Sequence, residues 1–572
     1  MRSTRNEPPR SWRWRPSRRV AAVAGVVALA LAMSSLTPAG AEGRQRPEND
    51  GERVEIQLLD VSDWHAQLDP LSGVGGAAVL SSYWQADRAA NPNTLTLTAG
   101  DAFGGSPPLS GFFDEVPAVL AQRMMGFDAD TFGNHNFDRG IDHLQQMIDI
   151  ARAPAGAQPG EPFRYVSANL RNRDDNLRRV EDFEIFEVGG VDVAVIGITN
   201  PEAPTLVFPG SFGTIEVTDP VRAAEEARKD AGRAGADVFV AITHLGVTGF
   251  DGQGNATGPL IDFARQAGAF DVIFGDHTDV QFEGVINGAL VVENRSKGIT
   301  YSRTTLTVDP RRGRTLDRSN EFVVPTAAAV TPDPAIEAML QPFRDELAVV
   351  FDEPIGVATD TFERGGNIER RMEVPIGNLV SDSMRLRYDT QLAFTNGGGI
   401  RAPLPSTHLV QDPTLRRPEN GFTQGPWDLV VGDAFAVLPF GNSVVTRQVT
   451  GERLWQILEN GVSRVNPDGT ATDGRFPQVS GFRFTFDSTL PAGSRVLSVE
   501  LADGTPIPPD GTVYTLATND FVNAGGDGYT MLADGQGATR ELMATVLQEF
   551  IQEQSPITPT VEGRITNLAT AP

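Results

Sequence analysis

Cysteine is absent from the 572 residues, and this absence removes disulfides, thiolate metal sites, Fe–S clusters and cysteine nucleophiles together. Histidine is scarce. With six in the whole chain, any transition-metal site must combine His with Asp, Glu or Asn. Basic residues are outnumbered, 48 Lys and Arg against 74 Asp and Glu, and the formal net charge of −26 opposes binding to a nucleic-acid polymer. Long apolar runs are missing apart from residues 20–33, which are too short for a comfortable bilayer span, and no hydrophobic tail precedes Pro572. There is no internal repeat. What is present is 40% hydrophobic and 21% charged residues, enough apolar content for substantial cores. The length is about four typical domains, so two large or three ordinary ones are expected.

The basic residues are unevenly placed. Residues 1–41 hold seven Arg and a single acid, Glu7. An Arg-rich stretch over 1–19, the apolar run 20–33 and Ala39-Gly40-Ala41 as an A-x-A site lay out a secretory signal peptide over 1–41, cleaved after about Ala41. Arg18-Arg19 also admits a twin-arginine reading, but Val20-Ala21-Ala22 lacks the bulky apolar residues expected next, so ordinary secretion is favoured over it and over an uncleaved anchor. The expectation is a secreted, extracellular, soluble protein with no membrane attachment after signal removal. Residues 42–51 (EGRQRPENDG) read as a polar linker.

From Val54 onward short apolar runs alternate with stretches of helical spacing, the pattern of an α/β protein. The clearest runs are 54–59, 94–98, 191–198, 238–243 and 272–274, with helices expected over 117–125, 141–151 and 220–234. Two of these helices open with Pro, which suits a first turn whose N–H has no partner anyway. Residues 326–331 are an Ala/Pro/Thr connector, and 334–351 has the spacing of an interdomain helix. A second region with its own Gly-rich loops follows. The Gly73-Val74-Gly75-Gly76 stretch has the wrong spacing for a dinucleotide loop and reads as a tight helix entry.

Several runs of the first region end in residues able to bind a metal. Asp63-Trp64-His65 follows the first, and in an extended chain Asp63 and His65 point the same way. Gly100-Asp101 ends the second. Asn134 and His135 lie in Gly-Asn-His-Asn-Phe-Asp, where Asp138 can orient the His135 ring. His244 ends the run 238–243, and Gly275-Asp276-His277-Thr278-Asp279 ends the run 272–274. Each motif alone is weak. Jointly, four of the six His stand just past apolar runs, where α/β sheets gather ligands. Asp101 would bridge two divalent ions, with Asp63, His65 and Asp279 on one side and Asn134, His244 and His277 on the other. Such a pair activates water near neutral pH and neutralises phosphoryl charge. His135, kept off the metals, would hydrogen-bond the phosphoryl or leaving-group oxygen. His143 on a helix and His408 in a loop are expected at the surface.

These five blocks resemble the calcineurin-type metallophosphoesterase signature in the form found in the 5′-nucleotidase family, which includes bacterial UDP-sugar hydrolases and animal ecto-5′-nucleotidase. The resemblance spans roughly residues 52–567. It implies an α/β fold with a four-layer metallophosphoesterase β-sandwich flanked by helices over 52–325, a linker and interdomain helix over 326–352, and a separate α/β 5′-nucleotidase C-terminal domain over 353–568. Two departures stand out: Asn136 where the family has an acid, and Asp279 with Asp276 where His, Gln or Asn follows Gly. An anionic Asp279 leaves the metal open among Zn, Mn, Co, Mg and Ca.

In the second region Arg370-Arg371, Asn396 to Arg401, Leu438 to Asn442 and Phe521 to Tyr529 are loops after apolar segments. Together they offer guanidinium groups, aromatic faces and a carboxylate, the means to hold phosphates, stack a base and bind a ribose diol. The resemblance implies Phe440 and Phe521 on the base, Asp527 on the ribose, Arg370, Asn396 and Arg401 near the phosphates, and Asn442 at a base-contacting position. It implies a secreted dinuclear-metal phosphohydrolase acting on small nucleotides: nucleoside 5′-monophosphates, with UDP-sugars or di- and triphosphates as further substrates. The alternatives are a 2′,3′-cyclic nucleotide 2′-phosphodiesterase/3′-nucleotidase and a non-catalytic nucleotide-binding protein.

Overall fold

The computed structural model describes residues 53–471 and 473–570; the expected signal peptide and the linker 42–51 lie outside the described residues. The apolar runs become strands whose successive side chains serve two different cores. In Val54–Asp60, Ile56 and Leu58 face one hydrophobic cluster while Leu59 faces another. Val240 and Ile242 of Val238–Thr243 share the first of these clusters, whereas Ala241 belongs to a third. A strand apolar on both faces must be covered on both faces, and the architecture follows from that.

Two sheets enclose the shared cluster. The first runs Arg314–Val323, Tyr301–Asp309, Val54–Asp60, Thr94–Thr98, Ala129–Asp130, Arg164–Val166, Val180–Glu181. The second runs Phe282–Ile286, Ala289–Glu293, Val272–Gly275, Val238–Thr243, Val191–Ile198, Phe183–Val188. Ala77–Ala90, Val116–Met125 and Gly140–Ala151 supply buried residues to the cluster on the outer face of the first sheet, and Pro220–Ala234 and Pro259–Gln266 to that of the second. The expected four layers are present. Pro220–Ala234 shows how local chemistry sets the bounds: the Asp219 side chain accepts from Arg222 N at 2.8 Å, Pro220 occupies the first turn, and Gly235 at φ 108° ends the helix.

Beyond it, Pro477–Ser480, Leu392–Asn396, Val513–Asn519, Ser443–Thr450 and Ala538–Leu542 form a five-stranded sheet, with Val496–Leu501, Phe482–Phe486 and Ile565–Asn567 in a smaller one. The helix Pro334–Phe351 is wedged between the two parts. Its Phe343 meets Phe113 at 5.0 Å between centroids, and Phe351 meets Phe112 at 5.0 Å and Phe435 at 5.1 Å. Among the described residues no helix is long and apolar enough to cross a membrane.

Two histidines expected at the surface are not there. His408 is 7% exposed, with its Nε2 2.8 Å from Asp352 and its ring beside Phe351. His143 is half-buried, edge-on to Phe103, with Nε2 3.0 Å from the Asp114 carbonyl. In both cases a polar partner distant in sequence takes up Nε2, although Nδ1 of His143 is buried without a hydrogen-bond partner.

Buried charge also ties loops to the fold. Arg123 is 1% exposed, and its guanidinium donates to the carbonyls of Ile150, Ala151, Ala153, Pro159 and Gly160 at 2.7–3.2 Å. Arg417 pairs with Asp433, both fully buried, and Asp433 also accepts from Ser406 N and Val430 N. Burial alone would raise the Asp433 carboxyl, but Arg417 outweighs it and holds the group below its ordinary 3.8.

Replacing Arg123 with Met should lower unfolding stability by about 3 kcal/mol in urea melts, and Lys, with a point charge in place of a fork, should restore only part. Asp433→Asn, which leaves Arg417 buried and unpaired, should cost about 3–5 kcal/mol at pH 7. Because the folded-state pKa of Asp433 is depressed, its contribution is full above pH 3.8 and is lost as pH falls below it. The difference between wild type and Asp433→Asn should therefore shrink in melts taken toward acid.

Candidate functional site

Val54–Asp60, Thr94–Thr98 and Ala129–Asp130 run parallel, as do Val238–Thr243 and Val272–Gly275. Their carboxyl ends meet at one edge of the sandwich. Asp63, His65, Asp101, Asn134 and His135 come from the first sheet, and His244, Asp276, His277 and Asp279 from the second. The turns that deliver them are tight. Asp63, His65, Asp101, His277 and Asp279 all have positive φ, between 39° and 85°, a conformation costing on the order of 1–3 kcal/mol for a non-glycine residue. Gly133 is required by proximity: a Cβ there would lie 2.2 Å from Asp101 Oδ1.

The donor atoms crowd together. His244 Nε2 lies 3.1 Å from His277 Nδ1, 3.2 Å from Asp101 Oδ2 and 3.3 Å from Asn134 Oδ1. His65 donates from Nδ1 to the Gly104 carbonyl at 2.7 Å, which leaves Nε2 as a lone pair, 3.8 Å from Asp63 Oδ1. His65, Asp101 and His135 each offer a ligand atom within 4.8 Å of one another, and so do Asp63, His244 and Asp276. Asp279 is placed differently from its partners: it accepts from Asn367 Nδ2, a residue of the C-terminal part. His135 donates from Nδ1 to Asp138, 3.1 Å from both carboxylate oxygens, so Nε2 is the nitrogen left for a ligand.

The electrostatics of this cluster call for positive charge. Burial pushes the Asp63 carboxyl up to about 6, with Asp279 and Asp101 adding to the rise and His244 opposing it. Burial would also raise Asp101, but His244 and His135 outweigh it and hold the group well down. His244 is held well above its usual range despite burial, because Asp101 and Asp276 flank it. Burial, with His244 beside it, lowers His277 to about 3, leaving a neutral ring with a lone pair to give. Buried Asp and His with one Asn carbonyl, no thiolate and an excess of carboxylates form a donor set suited to hard or borderline divalent cations. The residues fit such ions.

The C-terminal part closes over this edge. A cavity of about 280 Å³ is lined from one side by Asn134, His135, Asp138 and His277, and from the other by Arg370, Asn396, Arg401, Phe440, Asn442, Phe521 and Asp527. All seven residues expected to contact substrate thus share one space with the His135–Asp138 pair. Arg401 donates from Nη2 to His65 Nε2 at 3.0 Å, and its guanidinium carbon lies 5.7 Å from the Phe440 ring centre. Phe440 stacks on His135, 5.3 Å between centroids and 13° from parallel. Asn396 donates to Asp527 at 2.7 Å. Burial, reinforced by Asp473, pushes the Asp527 carboxyl up to about 7.

Several contributors carry no sequence motif. Lys297, reached by a turn at φ 62°, donates from Nζ to the Arg401 carbonyl at 3.1 Å and joins the two parts. Asp520 accepts from Asn442 Nδ2 at 2.8 Å and from Phe521 N at 2.9 Å, fixing two expected base contacts at once. Asn136 accepts from Gly133 N and Asp101 N and so shapes the turn around Asp101. Asp520 adjoins Phe521, and adjacency was the signal available for it; Asn136 stood in the sequence as a departure from the family pattern, without its role.

Residues 354–534 match the family described as 5′-nucleotidase, C-terminal domain. The chain is 29% identical over 545 residues to Endonuclease YhcR of Bacillus subtilis (strain 168), covering 91% of this chain and 42% of that protein. It is 28% identical over 567 residues to Trifunctional nucleotide phosphoesterase protein YfkN of the same organism, covering 91% and 35%. The chain spans less than half the length of either relative. The crystal structure of 5′-nucleotidase precursor from Thermus thermophilus is similar with a TM-score of 0.77 and 28% identity, covering 91% of this chain and 100% of that one.

Proposed function

We infer, for a chain whose residues 354–534 belong to the 5′-nucleotidase C-terminal domain family and whose whole fold is that of a two-part 5′-nucleotidase, that it is an exported phosphohydrolase releasing phosphate from nucleoside 5′-monophosphates. The observation that carries this reading is the cavity where the His135–Asp138 pair and, from the cation-demanding cluster, Asn134 and His277 face Arg370, Arg401, two Phe rings and Asp527. Substrates with a longer phosphate chain or a sugar, such as UDP-glucose, belong to the same proposal. We divide the chain accordingly into a catalytic part over 52–325, a connector over 326–352 and a nucleoside-binding part over 353–568, and take export from the signal-like residues 1–41.

Asp63, His65, Asp101 and Asp279, with Asn134, His244 and His277, would hold two divalent cations, Asp101 shared between them. Such cations lower the pKa of water and neutralise charge growing on phosphoryl oxygens. The chain's own groups do the rest. Arg370 and Arg401 draw the phosphate oxygens in by charge-assisted hydrogen bonds, and Asn396 sets the edge of that subsite. Phe440 and Phe521 hold the base by stacking, with Asn442 at its rim, and Asp527 accepts from the ribose diol. His135, with Nδ1 committed to Asp138, presents Nε2 to the phosphoryl or leaving-group oxygen and stabilises the charge developing there.

Phosphate release should be measured from AMP, UDP-glucose, ATP and 2′,3′-cyclic AMP, with and without added divalent ions after chelation. AMP should be turned over only with ions restored. A preference for 2′,3′-cyclic AMP would instead favour the cyclic phosphodiesterase reading, and nucleotide binding without turnover a binding protein. His135→Ala should lower kcat for AMP by about 10²–10⁴ with KM little changed; near wild-type turnover would sink its assigned role.

The Asp527 carboxyl provides a pH test free of the phosphate's own titration, using adenosine as ligand. Below about pH 7 Asp527 is protonated and accepts poorly; above it, the carboxylate accepts from both ribose hydroxyls. Adenosine affinity should therefore rise between pH 6 and 8 in wild type and stay flat in Asp527→Asn, measured by calorimetry.

A further inference from the structure

Asp276 has no part in the chemistry described so far, yet it touches three of the groups that would hold cations. It is fully buried. Its Oδ2 accepts from Asp63 N at 3.0 Å, its Oδ1 accepts from His277 N at 2.8 Å, and Oδ2 lies 3.7 Å from His244 Nδ1. Asp63 follows a strand of the first sheet, whereas His244 and His277 follow strands of the second. One carboxylate therefore spans the two sheets where the candidate ligands meet. Ser62 Oγ, donating to the Gly275 carbonyl at 3.1 Å, makes a second bond across the same gap.

Asp63 and His277, whose N–H groups Asp276 captures, both hold left-handed backbone, at φ 39° and 85°. That conformation persists only where surrounding contacts over-determine it, and hydrogen bonds from backbone N–H to a carboxylate are among the stronger ones. His244 donates from Nδ1 to the Ala99 carbonyl at 3.2 Å with Asp276 just beyond, while Nε2 faces the donor cluster. A carboxylate behind a ligating imidazole fixes its tautomer and raises its basicity. The neutral Asn136 serves only Asp101 and Gly133, so it cannot substitute.

We propose that Asp276 is a positioning residue that clasps the two sheets and orients Asp63, His244 and His277 for divalent-cation binding. Each of its oxygens accepts a backbone N–H, and in this role it acts through its neighbours rather than as a donor to the cation. This rests on reading the cluster as a cation site.

Co²⁺ alone tests the proposal on the full chain, with wild type, Asp276→Asn and Asp276→Ser compared by calorimetric titration and by the visible d–d spectrum, and far-UV circular dichroism as fold control. Both variants keep an acceptor oxygen in a smaller or equal volume, so one serves if the other fails to fold. Affinity should weaken about 10–100-fold, with the band intensity of the saturated site unchanged because the ligand count is the same. Wild-type affinity in a folded variant would overturn the proposal and leave the cation site standing. A change in intensity reporting a lost ligand would also overturn it, making Asp276 a direct donor. Absence of Co²⁺ binding by wild type would overturn both the proposal and the site.

Discussion

Asp63, Asp101, Asp276 and Asp279 lie close together, the first three of them almost fully buried, and like charges so confined raise one another's energy unless something positive joins them. The structure meets this demand at two levels. Backbone N–H groups of Asp63, His135 and His277 point at the carboxylates, and His244 is driven toward its charged form between Asp101 and Asp276. What these leave uncompensated is a site for small cations. Strained backbone, the close approach of Gly133 and the crowding of donor nitrogens are tolerated because they serve that demand.

The sandwich is what brings such a cluster about. Each sheet supplies parallel strands whose carboxyl ends share an edge, and the two edges coincide, so residues some two hundred positions apart become neighbours. The C-terminal part adds cations of its own from the opposite wall: Arg401 at His65 and Arg370 near Asp279. A chain that is strongly acidic overall thus sets guanidinium groups opposite its buried carboxylates.

Much of this was legible in the sequence. The runs 94–98, 191–198 and 238–243 are strands with those bounds, the last two apolar on both faces as covered strands must be and the first alternating Thr with Leu, and 220–234 and 334–351 are helices with those bounds because Asp caps and first-turn Pro mark them. The histidines past strand ends were legible as a set. Less visible was everything that depends on long-range pairing. Asn367 meets Asp279 from 88 residues away, Lys297 meets Arg401 from 104, and His408 is buried by Asp352; no periodicity encodes such partners. Asp276 looked like a mere departure from the family pattern, since its use lies in a backbone N–H 213 residues distant.

The helix Pro334–Phe351 and the cavity sit on contacts of opposite character. Around the helix, Phe112, Phe113, Phe343, Phe351 and Phe435 pack ring against ring, edge-on or stacked, with no charge or hydrogen bond between them. At the rim of the cavity two contacts between the parts are polar and reachable by water, Glu202 to Arg464 at 2.9 Å, half-exposed on both sides, and Asn466 to the Thr248 carbonyl at 3.4 Å, while deeper in, Arg401 to His65 and Phe440 on His135 are more shielded from it. The connection between the two parts is thus apolar on the side of the helix and largely polar on the side of the cavity, so salt and solvent act on one side of the joint and hardly on the other.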